Sequence, residues 1–304
     1  MDLDIDPPVA RALAAGEPVV ALESTLICHG LPRPRNLELA RAIEVAVLAE
    51  GAQPATIAVV EGRIRVGLDA ATLERLANSD RVVKCSPRDL ALVAARRALG
   101  ATTVAGTIHV AAAAGIRVMA TGGIGGVHRD WAQSLDVSAD LHELARSGVA
   151  VVCSGAKIIL DLPRTLEMLE SLAVPVIGYG CDTFPAFYAR DSGLPIPRLD
   201  GMTELAAVVQ AQSSLGWPAG LVVANPPPEA LALPTAQLET WIATALADAR
   251  ARGVTGKEST PFLLAALARL SAGRTVTLNE ALVLDNARLA ARLAKACCAS
   301  GGFG

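Results

Sequence analysis

The chain has 304 residues, of which 52% are hydrophobic and 19% charged, and its formal net charge is −3. Such hydrophobicity excludes a disordered chain, and the absence of a basic run argues against a nucleic-acid-binding protein. With 58 alanines and only 3% aromatic residues, small aliphatic side chains must build the core. No apolar stretch reaches the ~18 residues of a membrane helix. Met1 to Pro8 carries three aspartates and no basic residue, the opposite of a signal peptide. Six cysteines, at positions 28, 85, 153, 181, 297 and 298, show no CxxC spacing, so neither zinc nor a disulfide framework is expected. A cytoplasmic location follows.

Pro18 to Leu22 reads as a strand, and Asn36 is placed to cap a helix that ends at Glu50 before Gly51. Ala55 to Val60 and Arg63 to Val66 read as two strands about the turn Glu61-Gly62. A short strand at Val82 and Val83 leads to a helix started by Ser86-Pro87. A strand from Ile116 to Ala120, a glycine-rich loop from Gly122 to Gly126 and a helix from Ala139 to Arg146 come next. Strands at 149–153, 174–178 and 220–224 follow, with a helix at 164–172. The last seventy residues, roughly, read as helices from Thr235 to Ala251, Thr260 to Leu270 and Asn279 to Cys297. This alternation predicts a three-layer α/β/α sandwich with a largely parallel central sheet and a helical C-terminal region, in a single domain over residues 1–304.

Of 27 basic residues only four are lysines, at 84, 157, 257 and 295. In a chain that prefers arginine, a retained lysine marks a place where an amine is needed, because lysine can lose its proton and attack a carbonyl. Chance retention suits Lys295, on an amphipathic helix. In open α/β sheets ligands bind beyond the carboxyl ends of strands. Glu23, Ser24 and Thr25 follow one apolar run, Lys84 another, and Thr121 with the glycine loop a third; Ser154 to Lys157 and Asn225 follow two more. Glu23 could equally cap a helix or form an ion pair, and Lys84 could pair with Asp89. Lys157 could be a solvated residue that opens a helix, but a cation there opposes the macrodipole, and that penalty favours a functional role.

The loop Gly122 to Gly126 has four glycines in five positions but lacks the GxGxxG spacing; its amides could cradle an anion, with His128 and Arg129 beside it. Gly256-Lys257-Glu258-Ser259-Thr260 fails as a P-loop, since Ala251 stands where the first glycine belongs. Asp136 and Asp140 bracket Ser138, which can cap the next helix, and carboxylates with water suit Mg²⁺ or Mn²⁺. His29, His109 and His142 read as structural or exposed.

Long segments resemble the pseudouridine-5′-phosphate glycosidase family, also called pseudouridylate synthase. They are Val20 to Gly30 (VALESTLICHG), Lys84 to Asp89 (KCSPRD), Gly100 to Val104 (GATTV) and Ala120 to Arg129 (ATGGIGGVHR). Asp136 to Asp140 (DVSAD), Val152 to Lys157 (VCSGAK), Gly220 to Pro226 (GLVVANP) and Gly256 to Phe262 (GKESTPF) complete the set, so that roughly residues 7 to 295 are covered. The resemblance implies a homotrimeric lyase with an α/β/α core. Its reaction is reversible cleavage of the C–C glycosidic bond of pseudouridine 5′-phosphate, with water, to uracil and ribose 5-phosphate, a step of pseudouridine catabolism. By the same resemblance Lys157 is the nucleophile, forming an imine with C1′ of the ring-opened sugar, and Glu23 is the proton donor. Lys84, Val104, Ser138, Ala139 and Asp140 contact substrate, and Asp136 holds Mn²⁺. Gly106 and His109 depart from the family's pattern.

The chemistry agrees with that implication. A C–C glycosidic bond has no leaving-group oxygen to protonate, so paired carboxylates have no handle. An amine that forms an iminium at C1′ provides an electron sink, and a carboxylic acid moves the protons. A sugar-phosphate aldolase using a Schiff base, or a non-catalytic sugar-phosphate sensor, are the competing readings of the same lysines.

Overall fold

The computed structural model describes residues 3–254 and 259–301. Its strands are β1 (Leu3–Ile5), β2 (Val19–Leu22), β3 (Gln53–Val60), β4 (Arg63–Val66), β5 (Val82–Cys85), β6 (Leu99–Thr102), β7 (Val118–Ala120), β8 (Ala150–Cys153), β9 (Val176–Tyr179), β10 (Arg198–Leu199) and β11 (Leu221–Ala224). The helices before the sheet's midpoint are α1 (Pro7–Ala14), α2 (Arg35–Ala49), α3 (Ala70–Asn78), α4 (Pro87–Ala95) and α5 (Val104–Ala113). After it come α6 (Trp131–Ser134), α7 (Ala139–Ser147), α8 (Leu162–Ser171), α9 (Met202–Ser214), α10 (Thr235–Ala251), α11 (Ser259–Leu270) and α12 (Arg274–Ala299).

The sheet runs β1-β4-β3-β2-β7-β8-β11-β9-β10, with β6 on β3 and β5 on β6. Only β3–β4 and β3–β6 are antiparallel among the described pairings. β2, β7, β8 and β11 are buried along their whole length, as continuous apolar runs in a covered parallel sheet must be. The Glu61-Gly62 turn has positive φ at both residues, the geometry of a tight two-residue hairpin. Ser86 and Asp89 form the capping box that opens α4. Alanines 287, 290, 291 and 294 are buried on α12, which packs against β2, β7, β8 and α2. Abundant alanine thus serves close helix-on-sheet contact.

Asn36 does not cap α2. It lies inside the helix, buried, and its amide donates to the carbonyls of Ile27 and Ala77 at 2.9 Å each. The helix begins at Arg35 and Asn36 instead ties it to the π-helical turn Leu26–Gly30 and to the end of α3. Helix α12 likewise begins five residues before the expected Asn279, at Arg274.

The winding reverses at β2. The chain leaves β2 through α2 to β3 on one side, whereas β7 flanks β2 on the other and continues through α7 to β8. Right-handed crossovers in opposite directions put α2 and α7 on opposite faces, and open a crevice between the carboxyl ends of β2 and β7.

Candidate active site

Glu23 follows β2 and Thr121 follows β7, and across the crevice the Thr121 hydroxyl donates to the Glu23 carboxylate. A second group of strands closes in from the far side. β3 pairs with β2 along Gln53 to Thr56 and with antiparallel β6 at Ala58 and Val59, so the carboxyl ends of β2 and β6 meet. Their junction is fastened by hydroxyls. Ser24 Oγ donates to Ile57 O at 2.6 Å and accepts from Thr102 N at 2.9 Å, while Thr102 Oγ1 donates to Ile57 O at 2.7 Å. β5 runs parallel to β6 and brings Lys84 to the same place.

A cavity of about 510 Å³ lies between these strand ends. Its walls include Glu23, Lys84, Val104, Asp136, Ser138, Ala139, Asp140 and Lys157, so every site residue expected from the sequence is brought together. Lys257 and Glu258 lie outside the described residues, but Thr260 and Pro261 of the same segment line the cavity.

Lys157 does not open a helix. Gly155, at φ +76°, turns the chain after β8, and the following residues pair with the glycine loop through Ile124–Ala156 and His128–Leu160 bridges. Helix α8 starts only at Leu162, so Lys157 is not in its first turn. Its Nζ instead donates to Gly123 O at 2.5 Å, and its charge pulls the pKa of Glu23 down.

Glu23 is recessed in the cavity, and burial raises its pKa above the ordinary glutamate value. Lys157, the Thr121 hydrogen bond and Lys84 pull it down, whereas the Asp140 charge pushes it up. The net result is upward, and suits a group that must donate a proton.

Two amides of the glycine loop, and that of Val127 just after it, already have acceptors within the protein. Ile124 N donates to Gly155 O, Gly125 N to Asp140 Oδ2 at 2.7 Å and Val127 N to Thr165 Oγ1 at 3.0 Å. Close approach explains the glycines: a Cβ on Gly125 would overlap Ser138 and Asp140, and one on Gly126 would overlap Thr165. Arg129 is also occupied, by Glu239 and the carbonyls of Ile158 and Leu160. Three helix N-termini face the cavity as well: α4 with Arg88, α5 with Thr103 and Val104, and α7 with Ser138 and Ala139.

Asp140 is buried and its two oxygens accept from Gly125 N and from Ala105 N, the latter at 2.8 Å. It therefore binds α5 and the glycine loop to α7. Asp140→Ala should lower unfolding free energy by at least about 2 kcal/mol, because two backbone donors lose their partner. Denaturant unfolding at wild-type stability would refute that role.

Asp136 lines the cavity with His128 Nε2 3.7 Å from its carboxylate. His29 and His142, both exposed as expected, also line it. Lone histidines give no sequence signal for this, since only the fold sets their direction. Among the described residues no three of His, Cys, Asp and Glu form a metal-ligand cluster.

The chain matches the family of indigoidine synthase A-like proteins over residues 8–296. It is 55% identical to the pseudouridine-5′-phosphate glycosidase of Methylobacterium nodulans over 97% of this chain and 88% of that one. The enzyme of the same name from Jannaschia sp. is 54% identical over 97% and 98% of the two chains. The chain belongs to the pseudouridine-5′-phosphate glycosidase family. Among solved structures, the prealnumycin C-glycosynthase in complex with ribulose 5-phosphate superposes with a TM-score of 0.91 at 40% identity, covering 98% of this chain and 97% of that one. An indigoidine synthase A-like protein from Thermotoga maritima gives 0.88 at 35% identity, covering 96% of each chain.

Gly106 and His109 each have a local packing role. Gly106 lies where α5 crosses the end of β5, and a Cβ there would stand 2.6 Å from Cys85 O. His109 places Nδ1 3.3 Å from Glu143, a buried carboxylate that also binds Arg146.

Proposed function

We propose that the protein cleaves the bond between C1′ of the ribose 5-phosphate unit and C5 of uracil in pseudouridine 5′-phosphate, reversibly and through a lysine imine. The observation that carries this reading is a lysine amine and a carboxyl group of raised pKa in one cavity at the sheet's switch point. Glu23 gives its proton to the ring oxygen O4′ as the neutral Lys157 amine bonds to C1′, and the C1′–O4′ bond breaks. The resulting carboxylate takes the proton shed by the new ammonium. Glu23 then returns that proton to C5 as the nitrogen lone pair forms C1′=N and the C1′–C5 pair leaves with uracil. Water hydrolyses the imine, releasing ribose 5-phosphate and Lys157.

The helix N-termini of α4, α5 and α7, with Lys84 and Arg88, support a site for the 5′-phosphate. The donor set at Asp136, one carboxylate beside an imidazole, fits a hard cation that keeps most of its water and takes further oxygens from substrate. When bound, Mn²⁺ there would offset substrate negative charge and orient it. Chelation should then abolish turnover and Mn²⁺ restore it; full activity in chelator-treated protein would remove Asp136 from this role.

Assembly as a homotrimer is part of the proposal, and exposed Val45 and Leu48 on α2 leave apolar surface for a second copy. The deciding experiment is uracil release from pseudouridine 5′-phosphate. An aldolase would cleave other sugar-phosphate bonds and leave this one intact, and a sensor would bind without turnover.

A further inference from the structure

Behind Glu23 lies a small recess that the reaction proposed above does not use. It shares Glu23, Leu26 and Thr121 with the main cavity and, at about 10 Å³, has room for about one water. Its polar lining residues are Glu23, Thr121 and Thr56, and the others are apolar. A buried water needs about two to four polar partners, which these groups supply.

Thr56 reaches the recess because β3 lies beside β2. Its partner across the pair is Leu22, the residue immediately before Glu23. Neighbouring strands stand about 4.8 Å apart, a separation that one bridging water spans between side chains. Beyond Thr56 the path continues to α2. The Thr56 hydroxyl, 2% exposed, donates to Glu44 Oε1 at 2.6 Å, and its oxygen keeps lone pairs that accept from a water. Glu44 is partly exposed at the surface of α2. Burial lifts its pKa above the ordinary glutamate value, the Thr56 hydrogen bond opposes the rise and the Asp6 charge adds to it. A carboxyl so placed holds a proton more readily than a free glutamate, yet still meets solvent.

We infer that Glu44, Thr56 and one buried water form a proton relay between solvent and Glu23, entering from behind the catalytic cavity. Its steps balance. A proton on Glu44 passes to Thr56 Oγ1 as Thr56 passes its own to the water, and the water gives one to the Glu23 carboxylate. Glu44 is left as the carboxylate and takes a proton from solvent. The same chain runs in reverse when Glu23 must lose a proton. Substrate in the main cavity covers the front of Glu23 and leaves this route open. The inference rests on the role of Glu23 in the function proposed above.

The test uses the intact protein in the synthetic direction, in ordinary water, with ribose 5-phosphate and uracil deuterated at C5. Forming the C1′–C5 bond moves that deuteron to Glu23. When the step reverses, the relay has already exchanged the deuteron with solvent, and the recovered uracil carries hydrogen. Without the relay the deuteron returns to C5. Deuterium loss from recovered uracil, per pseudouridine 5′-phosphate formed, should drop in Thr56→Val and in Glu44→Gln. The drop should be about 10²-fold, the lower end for a positioned proton-transfer group. Thr56→Ser, which restores the hydroxyl, should recover the wild-type ratio. A purely structural role for Thr56 would alter rate or stability but not this ratio. Glu44→Gln keeps an acceptor for Thr56 and so carries the comparison should valine not fold. An unchanged ratio in either folded variant, or a drop that serine does not reverse, would overturn the inference. A wild type that forms product but returns all its deuterium would overturn it too. A wild type that forms no product would overturn the proposed reaction instead.

Discussion

Borohydride added to the protein with ribose 5-phosphate is expected to leave a reduced sugar-phosphate adduct on the peptide that carries Lys157. Lys157→Arg should keep the positive charge but lose both the adduct and turnover, because guanidinium does not deprotonate to act as a nucleophile. The loss should be on the order of 10⁴-fold or more, as for removal of a covalent nucleophile in other enzymes. Lys84→Ala should weaken substrate binding while still permitting the adduct, since Lys84 stands across the cavity on β5. An adduct on the Lys84 peptide, or normal turnover by Lys157→Arg, would reverse the two assignments.

Glu23→Gln should bind substrate yet lose about 10²- to 10⁴-fold in kcat, the usual contribution of general acid–base catalysis. The protonated carboxyl is the donating form, so wild-type activity should fall as pH rises through the raised Glu23 value. Asp140→Asn removes an upward push and should move that limb to lower pH. Thr121→Val removes a stabilising donor to the carboxylate and should move it higher. Stability gives an independent sign. A carboxyl whose folded-state pKa is raised contributes stability below its unfolded value and loses that contribution as pH rises through the folded one. Glu23→Gln should therefore melt above the wild type at about pH 8, and the gain should vanish near about pH 4. A lower melting temperature at the alkaline end would show that burial does not penalise this charge.

Local chemistry let the sequence determine much of this. Valine-rich runs set the strands, Glu61-Gly62 made a hairpin and Ser86-Pro87 with Asp89 opened α4, because each depends on neighbours within a few residues. The retained lysines and the polar residues after β2 and β8 likewise marked the site in advance, since strand ends are where an open sheet exposes side chains. The tertiary structure decided the rest. That β6 runs against β3 and meets β2 end to end, placing Lys84 opposite Glu23, depends on strand pairing between distant segments. The glycine loop shows the same limit. Four glycines signal close approach or open amides equally well, and only the arrival of Ser138, Asp140 and Thr165 from elsewhere in the chain made close approach the requirement at Gly125 and Gly126.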